Sequence, residues 1–133
     1  MPHDSDKAAS PEGWMAVARG DLAMARIDLP IHATYEMLCF HAQQAAEKSI
    51  KALLVHLGID FPYTHNIASL VALLPPAMQS VSVLREAERL SPYAVLARYP
   101  GEQEPVDEER YERLVGIAAA VVTWVEDYVQ QHG

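Results

Sequence analysis

The stretch that decides the fold reads FHAQQAAEKSIK and spans residues 40–51. It contains no glycine or proline, and apolar or small residues recur in steps of three and four through and beyond it, from Tyr35 to Leu57. This period predicts a helix over residues 33–57, and Gly58 stands where glycine commonly ends one. Small residues within the stretch allow a second helix to approach closely. The stretch therefore predicts a long helix packed against others in an all-α domain.

The rest of the chain predicts four more helices. They span residues 11–28, 67–74, 81–90 and 107–131. Ser10 and Pro11 form a typical helix start, with an N-cap followed by a first-turn proline, and Asp107 opens an acidic run that favours a helix N-terminus. No strand alternation or internal repeat is present. Five helices with short connections predict a helical bundle, with residues 1–10 as a flexible N-terminal tail and residues 11–133 as the domain.

Composition narrows the class of protein further. The chain has 133 residues, which suits one domain, and its single cysteine, Cys39, excludes an internal disulfide framework and is interpreted as a core residue. The formal net charge of −8 disfavours binding along extended DNA or RNA but leaves room for a small local nucleotide pocket. No apolar run is long enough for a membrane span, and the first ten residues have no signal-peptide core. We therefore expect a cytoplasmic protein.

Polar and charged side chains are concentrated within residues 40–51. Their spacing places Gln44, Lys48 and Lys51 on one helix face, and Glu47 with Gln43 on a neighbouring strip. Amides and cations grouped in this way can bind a phosphate or a base. The alternative is a solvated helix flank with a Glu–Lys network, and the residue pattern alone favours that alternative.

Four further residues are candidates for a binding site. His41 is interpreted as a structural residue with a satisfied hydrogen bond. Thr64 or Asn66 can cap the third predicted helix. His65 lies between them, where its side chain caps the helix or joins an anion site; of these two roles for His65, capping is the favoured interpretation. Arg98 and Tyr99 precede a Pro-Gly pair in a predicted loop, where an arginine is suited to phosphate and a tyrosine to a base. The six histidines do not have metal-ligand spacing, and no cofactor is predicted.

Together these segments resemble the HEPN family (higher eukaryotes and prokaryotes nucleotide-binding domain), over nearly the whole chain after the tail. The residues that carry the resemblance are Trp14, Ala18, Asp21, Leu22 and Ala25, then residues 40–48 with Lys51 and Leu54, Gly58-Ile59, Phe61-Pro62 and Thr64-His65-Asn66, and finally Tyr93 and Arg98-Tyr99-Pro100-Gly101. Each piece alone has low specificity. The segment QQAAEK, followed at the right distance by Thr-His and Arg-Tyr-Pro, is specific.

The resemblance implies a five-helix up-and-down bundle that forms a homodimer. It also implies a non-catalytic module that binds a nucleotide or another phosphorylated ligand and works with a minimal nucleotidyltransferase, often as a toxin–antitoxin pair. The site residues implied are Lys48, Lys51, His65 and Arg98 for the phosphate, Gln44 and Tyr99 for the base, and Asp21 and Glu47 to orient the cations, with His41 nearby.

Two other functions stay open. Some HEPN proteins are metal-independent ribonucleases, in which a histidine follows an arginine after four to six intervening residues. Here only Arg26 and His32 have that spacing, and they flank Pro30 in a predicted loop, so catalytic activity is not expected; a divergent ribonuclease would use His41 or His65 with Arg98. The remaining possibility is a dimeric scaffold that binds no ligand, in which the polar residues of the second helix form a solvated network.

Overall fold

The structure, a computed structural model, describes residues 9–95 and 105–133, and within these ranges every regular element is helical. The elements are α1 (Pro11–Ala25), α2 (Tyr35–His56), α3 (Ile67–Val71), α4 (Pro76–Gln79), α5 (Ser82–Glu86), a 3₁₀-helix (Ala87–Tyr93) and α6 (Glu108–Gln131). The prediction of an all-α fold is confirmed. Residues 1–8 of the predicted tail lie outside the described ranges.

Local sequence signals set three of the ends of the long helices, whereas α1 ends at Ala25 instead of near residue 28 and α2 begins at Tyr35 instead of residue 33. The Ser10 hydroxyl accepts a hydrogen bond from the Gly13 amide at 3.0 Å, and the Asp107 carboxylate accepts one from the Arg110 amide at 2.8 Å. Gly58 ends α2 with a positive φ of 71°, a conformation that costs glycine far less than other residues. These caps fix where α1 and α6 begin and where α2 stops.

The short helices differ from the prediction where prolines occur. The predicted helix over residues 67–74 stops at Val71, and Pro76 begins a further one-turn helix, α4, because proline fits the first turn of a helix but not its interior. The predicted helix over residues 81–90 is α5 followed by the 3₁₀-helix, which contains Pro92. The described residues thus hold six α-helices instead of five.

The helix with the most buried residues is α2, which lies at the centre of the bundle. It packs against α1, against α6 and against the 3₁₀-helix. Small, fully buried residues on α2 allow these close approaches; they are Ala42, Ala45, Ala46 and Ser49. Ile50, Leu53 and Leu54 fill the core one turn further on, and all three are fully buried. As a result, nearly every face of α2 is covered.

Cys39 is one of the fully buried residues of α2. Burial raises the pKa of its thiol to about 12, and the charge of Glu36 acts in the same direction. At neutral pH the side chain is therefore a neutral, apolar packing group, as the sequence predicted.

Several large apolar side chains remain exposed near the connection between α1 and α2. They are Met24, Ile27, Leu29, Ile31 and Met37. Met37, Ile117 and Trp124 are left over from the apolar stripes of the sequence, which predicts a second face that dimerisation would bury. Within one chain, Ile117 and Trp124 are half-buried against the core and Met37 is 45% exposed. None of the described helices combines the length and the hydropathy that a membrane crossing requires.

Candidate functional site

A cluster of charged side chains surrounds the carboxylate of Glu47, which is completely buried. The Lys51 ammonium donates to Glu47 Oε2 at 3.0 Å, and the Lys48 ammonium lies 3.6 Å from the same oxygen. His65 Nδ1 lies 3.1 Å from both carboxylate oxygens. Two lysine cations therefore face one carboxylate, and the cluster has an excess of positive charge.

Two buried glutamines extend this cluster along α2. Gln43 Nε2 donates to the backbone carbonyl of His65 at 3.1 Å and to Glu47 Oε1 at 3.3 Å. Gln44 Nε2 donates to Gln43 Oε1 at 2.7 Å, and Gln44 Oε1 accepts from Lys48 Nζ at 3.0 Å. Each amide is thus used as both donor and acceptor, which is the condition for burying such groups at low cost.

This burial overturns the interpretation of the α2 residues as a solvated flank. Gln43 and Glu47 have no exposed surface, Lys51 is 4% exposed and Gln44 is 9% exposed. The reason is that residues 59–66 fold back against α2 on one side while α1 packs on the other. The hypothesis of a scaffold that binds no ligand assumed that these polar residues form a solvated network. That assumption is not met.

Aromatic rings enclose the Lys51 ammonium. Its nitrogen lies 5.6 Å from the ring centre of Trp14 and 5.9 Å from the ring centres of Phe61 and Tyr63. Trp14 and Phe61 also meet edge to face, with centroids 6.2 Å apart. Cation–π attraction offsets part of the cost of burying the charge. The indole N–H of Trp14 is buried beside this group and has no acceptor among the described residues.

One edge of the cluster reaches the surface. The side chain of Lys48 is 18% exposed and that of His65 is 44% exposed, while Tyr63 is 79% exposed. The Tyr63 hydroxyl lies 3.3 Å from His65 Nε2. The prediction that His65 caps the third helix is wrong, because the neighbouring Asn66 accepts from the Ser69 amide at 3.1 Å and fills that role.

The pKa of Glu47 gives a test of the cluster. Burial alone would raise this pKa, but Lys51, His65 and Lys48 outweigh burial and hold it below its usual range. As the pH falls, Glu47 takes up a proton in the unfolded chain, at a pH of about 4.3, before it does so in the folded protein. The stabilisation from Glu47 is therefore complete above that pH and is lost as the pH falls through the folded pKa.

We expect urea unfolding, measured from pH of about 7 to about 3, to show a steeper loss of unfolding free energy in the wild type than in Glu47→Gln, because only the wild type has this group to protonate. The other carboxylates are common to both proteins and cancel in the difference. The same pH dependence of the unfolding free energy in both proteins would contradict a lowered pKa of Glu47.

Asp21 and His41 form a separate pair across the α1–α2 interface. His41 Nδ1 lies 3.2 Å from Asp21 Oδ1, and both side chains are half-buried. His41 therefore has the satisfied hydrogen bond that was predicted for it. Asp21, which was expected to orient cations, contacts this histidine instead of a lysine, whereas Glu47 contacts Lys48 and Lys51.

The ribonuclease motif is not assembled in the described part of the chain. Arg26 ends α1, and His32 lies in the following connection with a φ of 70°. No arginine among residues 9–95 and 105–133 forms a hydrogen bond with His41 or His65. The predicted ligand residues Arg98 and Tyr99 fall outside these ranges. Within them, no three His, Cys, Asp or Glu side chains are grouped to hold a metal ion.

A second concave region, which the sequence did not indicate, lies between α5, the 3₁₀-helix and α6. It is an open cleft of about 780 Å³ with Val83, Leu114 and Ile117 among its apolar walls. Arg89, Arg110 and Arg113 line it as well, and Arg89 and Arg113 lie 2.8 Å from Glu86 and Glu109. The lysines of the Glu47 cluster are held by buried hydrogen-bonding partners, so that cluster is the stronger candidate for an anion.

Comparison with known proteins gives a family and two similar structures. A model of the HEPN domain matches residues 11–128. The crystal structure of ST0689, an archaeal HEPN homologue, is 30% identical with a TM-score of 0.67, covering 90% of this chain and 98% of that one. The crystal structure of TT1696 from Thermus thermophilus is 28% identical with a TM-score of 0.73, covering 88% of this chain and 96% of that one. A comparison with curated proteins gave no match.

Proposed function

The chain belongs to the HEPN domain family, and from this premise we propose that it is a cytoplasmic nucleotide-binding module that acts with a minimal nucleotidyltransferase, as one half of a toxin–antitoxin pair. In this proposal Lys48 contacts the phosphate at the surface, and His65 lies beside it. The buried Lys51 adds a second positive charge behind them. Glu47 orients the side chains of Lys48, Lys51 and His65.

The observation that supports binding is the exposed edge of a buried cationic cluster. Lys48 and His65 reach solvent, while the groups behind them are held rigidly by hydrogen bonds. The two lysines exceed the single carboxylate by one charge, which an anion can neutralise. The chain as a whole has a net charge of −8, so this local excess of positive charge is opposite in sign to the overall charge.

The burial of the cluster also supports a functional role. A helix that only had to pack would be served as well by apolar side chains, because taking charges out of water costs several kcal/mol per ion before pairing. Glu47 and Lys51 are nonetheless buried at the centre of the bundle. Polar networks of this kind, with a carboxyl whose pKa is shifted by specific partners, are concentrated at functional sites.

Isothermal titration of ATP into the purified protein tests the proposal. We expect wild-type protein to bind ATP and Lys48→Ala to bind about tenfold more weakly or worse, because one charge-assisted hydrogen bond to the phosphate is lost. Arg85→Ala is the matched control: Arg85 is an exposed cation on α5, outside the cluster. Equal affinity of Lys48→Ala and wild type would show that Lys48 does not bind the phosphate.

Partners belong to the same proposal. The exposed apolar side chains Ile27, Leu29, Ile31 and Met37 offer a surface for a second copy or for the nucleotidyltransferase. A native pull-down of the tagged protein with mass spectrometry tests the partnership. Recovery of a small nucleotidyltransferase in near-equal amount is the expected result, and recovery of the protein alone would contradict it.

A further inference from the structure

A line of three side chains runs from the interior of the protein to its surface. Glu47 accepts from His65, whose Nδ1 lies 3.1 Å from each carboxylate oxygen, and the Tyr63 hydroxyl lies 3.3 Å from His65 Nε2. An ionised carboxylate can only accept hydrogen bonds, so the proton of a neutral His65 is on Nδ1. The lone pair of Nε2 then faces Tyr63, and the phenol donates its hydrogen bond to it.

Exposure increases along this line from the carboxylate to the hydroxyl. Glu47 is fully buried, the His65 side chain is 44% exposed and Tyr63 is 79% exposed. Gln43 donates to the backbone carbonyl of His65, so the backbone of this residue is held as well as its imidazole. The ring of Tyr63 lies near the Lys51 ammonium, but the residue is mostly exposed, so burial of apolar area contributes little to its position. A carboxylate, an imidazole and a hydroxyl in this order activate the hydroxyl as a nucleophile in many enzymes.

We propose that Tyr63 is a nucleophile that accepts a phosphoryl group, with His65 as its general base and Glu47 as the residue that positions His65. The donor class is a phosphate derivative with a good leaving group, such as a phosphoanhydride. This donor class rests on the proposed function, because Lys48 and Lys51 are the groups that attract phosphate to the site.

The proposed step conserves atoms and electrons. Tyr63 Oη attacks the phosphorus and forms the new O–P bond while the bond from phosphorus to the leaving group breaks, and the leaving group departs with that electron pair. The phenolic proton passes to His65 Nε2 and then to water. The ring of Tyr63 lies 5.9 Å from the Lys51 ammonium, so the buried lysine belongs to the same group of side chains.

Labelling with diisopropyl fluorophosphate tests the nucleophile without requiring nucleotide binding. The intact protein is incubated with the reagent, and the rate at each tyrosine is read by peptide mass spectrometry. We expect Tyr63 to react about 100-fold faster than Tyr128. Tyr128 is an internal control, since its ring stacks on His132 at 4.0 Å and meets His56 edge-on at 6.0 Å, but its hydroxyl bonds to neither among the described residues.

The variant His65→Gln distinguishes activation of Tyr63 by a base from its mere exposure to the reagent. It leaves Tyr63 at the surface but removes the base. We expect its Tyr63 rate to fall by about tenfold or more. Equal rates in wild type and His65→Gln would overturn the inference. Diisopropyl fluorophosphate is uncharged, so its reaction does not require the cationic phosphate site. The ATP titration therefore tests the proposed function separately.

Discussion

Glu47→Leu is expected to lower the free energy of unfolding by about 3–5 kcal/mol, the range found when one partner of a buried ion pair is removed. Leucine is close to glutamate in size, so the loss comes mainly from Lys51, which stays 4% exposed with no carboxylate to accept its hydrogen bond. His65 and Gln43 lose an acceptor as well. Urea unfolding followed by circular dichroism at neutral pH measures the change.

The double variant Glu47→Leu with Lys51→Met is the control for this prediction. It removes both buried charges, keeps similar volumes and leaves an apolar side chain among the rings of Trp14 and Phe61. We expect it to recover most of the stability lost in the single variant, because paired burial of charge is close to neutral against apolar packing. If the single variant loses less than about 1 kcal/mol, the ion pair is not a buried one in solution.

Leu53→Ala is expected to cost about 2–5 kcal/mol, the range for truncating a fully buried leucine. Leu53 lies in the part of α2 that faces the interior and has no exposed surface. The substitution removes apolar contacts and leaves a cavity that the neighbouring helices fill only in part, because small residues already bring them close to α2.

Leu73→Ala is the matched control, since it makes the same chemical change at a residue that is 38% exposed. Its expected cost is less than about 1 kcal/mol, because solvent replaces the missing methyl groups. Chemical denaturation of both variants in parallel gives the comparison. Similar losses at the two positions would mean that α2 is not the centre of the core.

The helices could be predicted from the sequence because their causes are local. The steps of three and four in α2 and α6 and the caps at Ser10 and Asp107 act within one or two turns. The proline-rich stretch was harder to predict, because Pro76 both stops one helix and begins another. The outcome there depends on packing as well as on local preference.

The site could be predicted only in part. Helical spacing was sufficient to place Gln44, Lys48 and Lys51 together, but it carries no information about what covers them. That depends on Trp14 and on residues 59–66, which reach α2 only through the tertiary fold. The capping role went to Asn66 in place of His65 for a similar reason, since the histidine finds a stronger partner in a carboxylate eighteen positions earlier.

The position of Cys39 has a practical consequence for experiments on this protein. Because the only cysteine of the chain is fully buried and neutral, a thiol reagent can reach it only after α2 separates from its neighbours. The rate of thiol modification therefore reports the population of open molecules. The effect of each substitution on that population can be measured at Cys39 itself, without introducing another label.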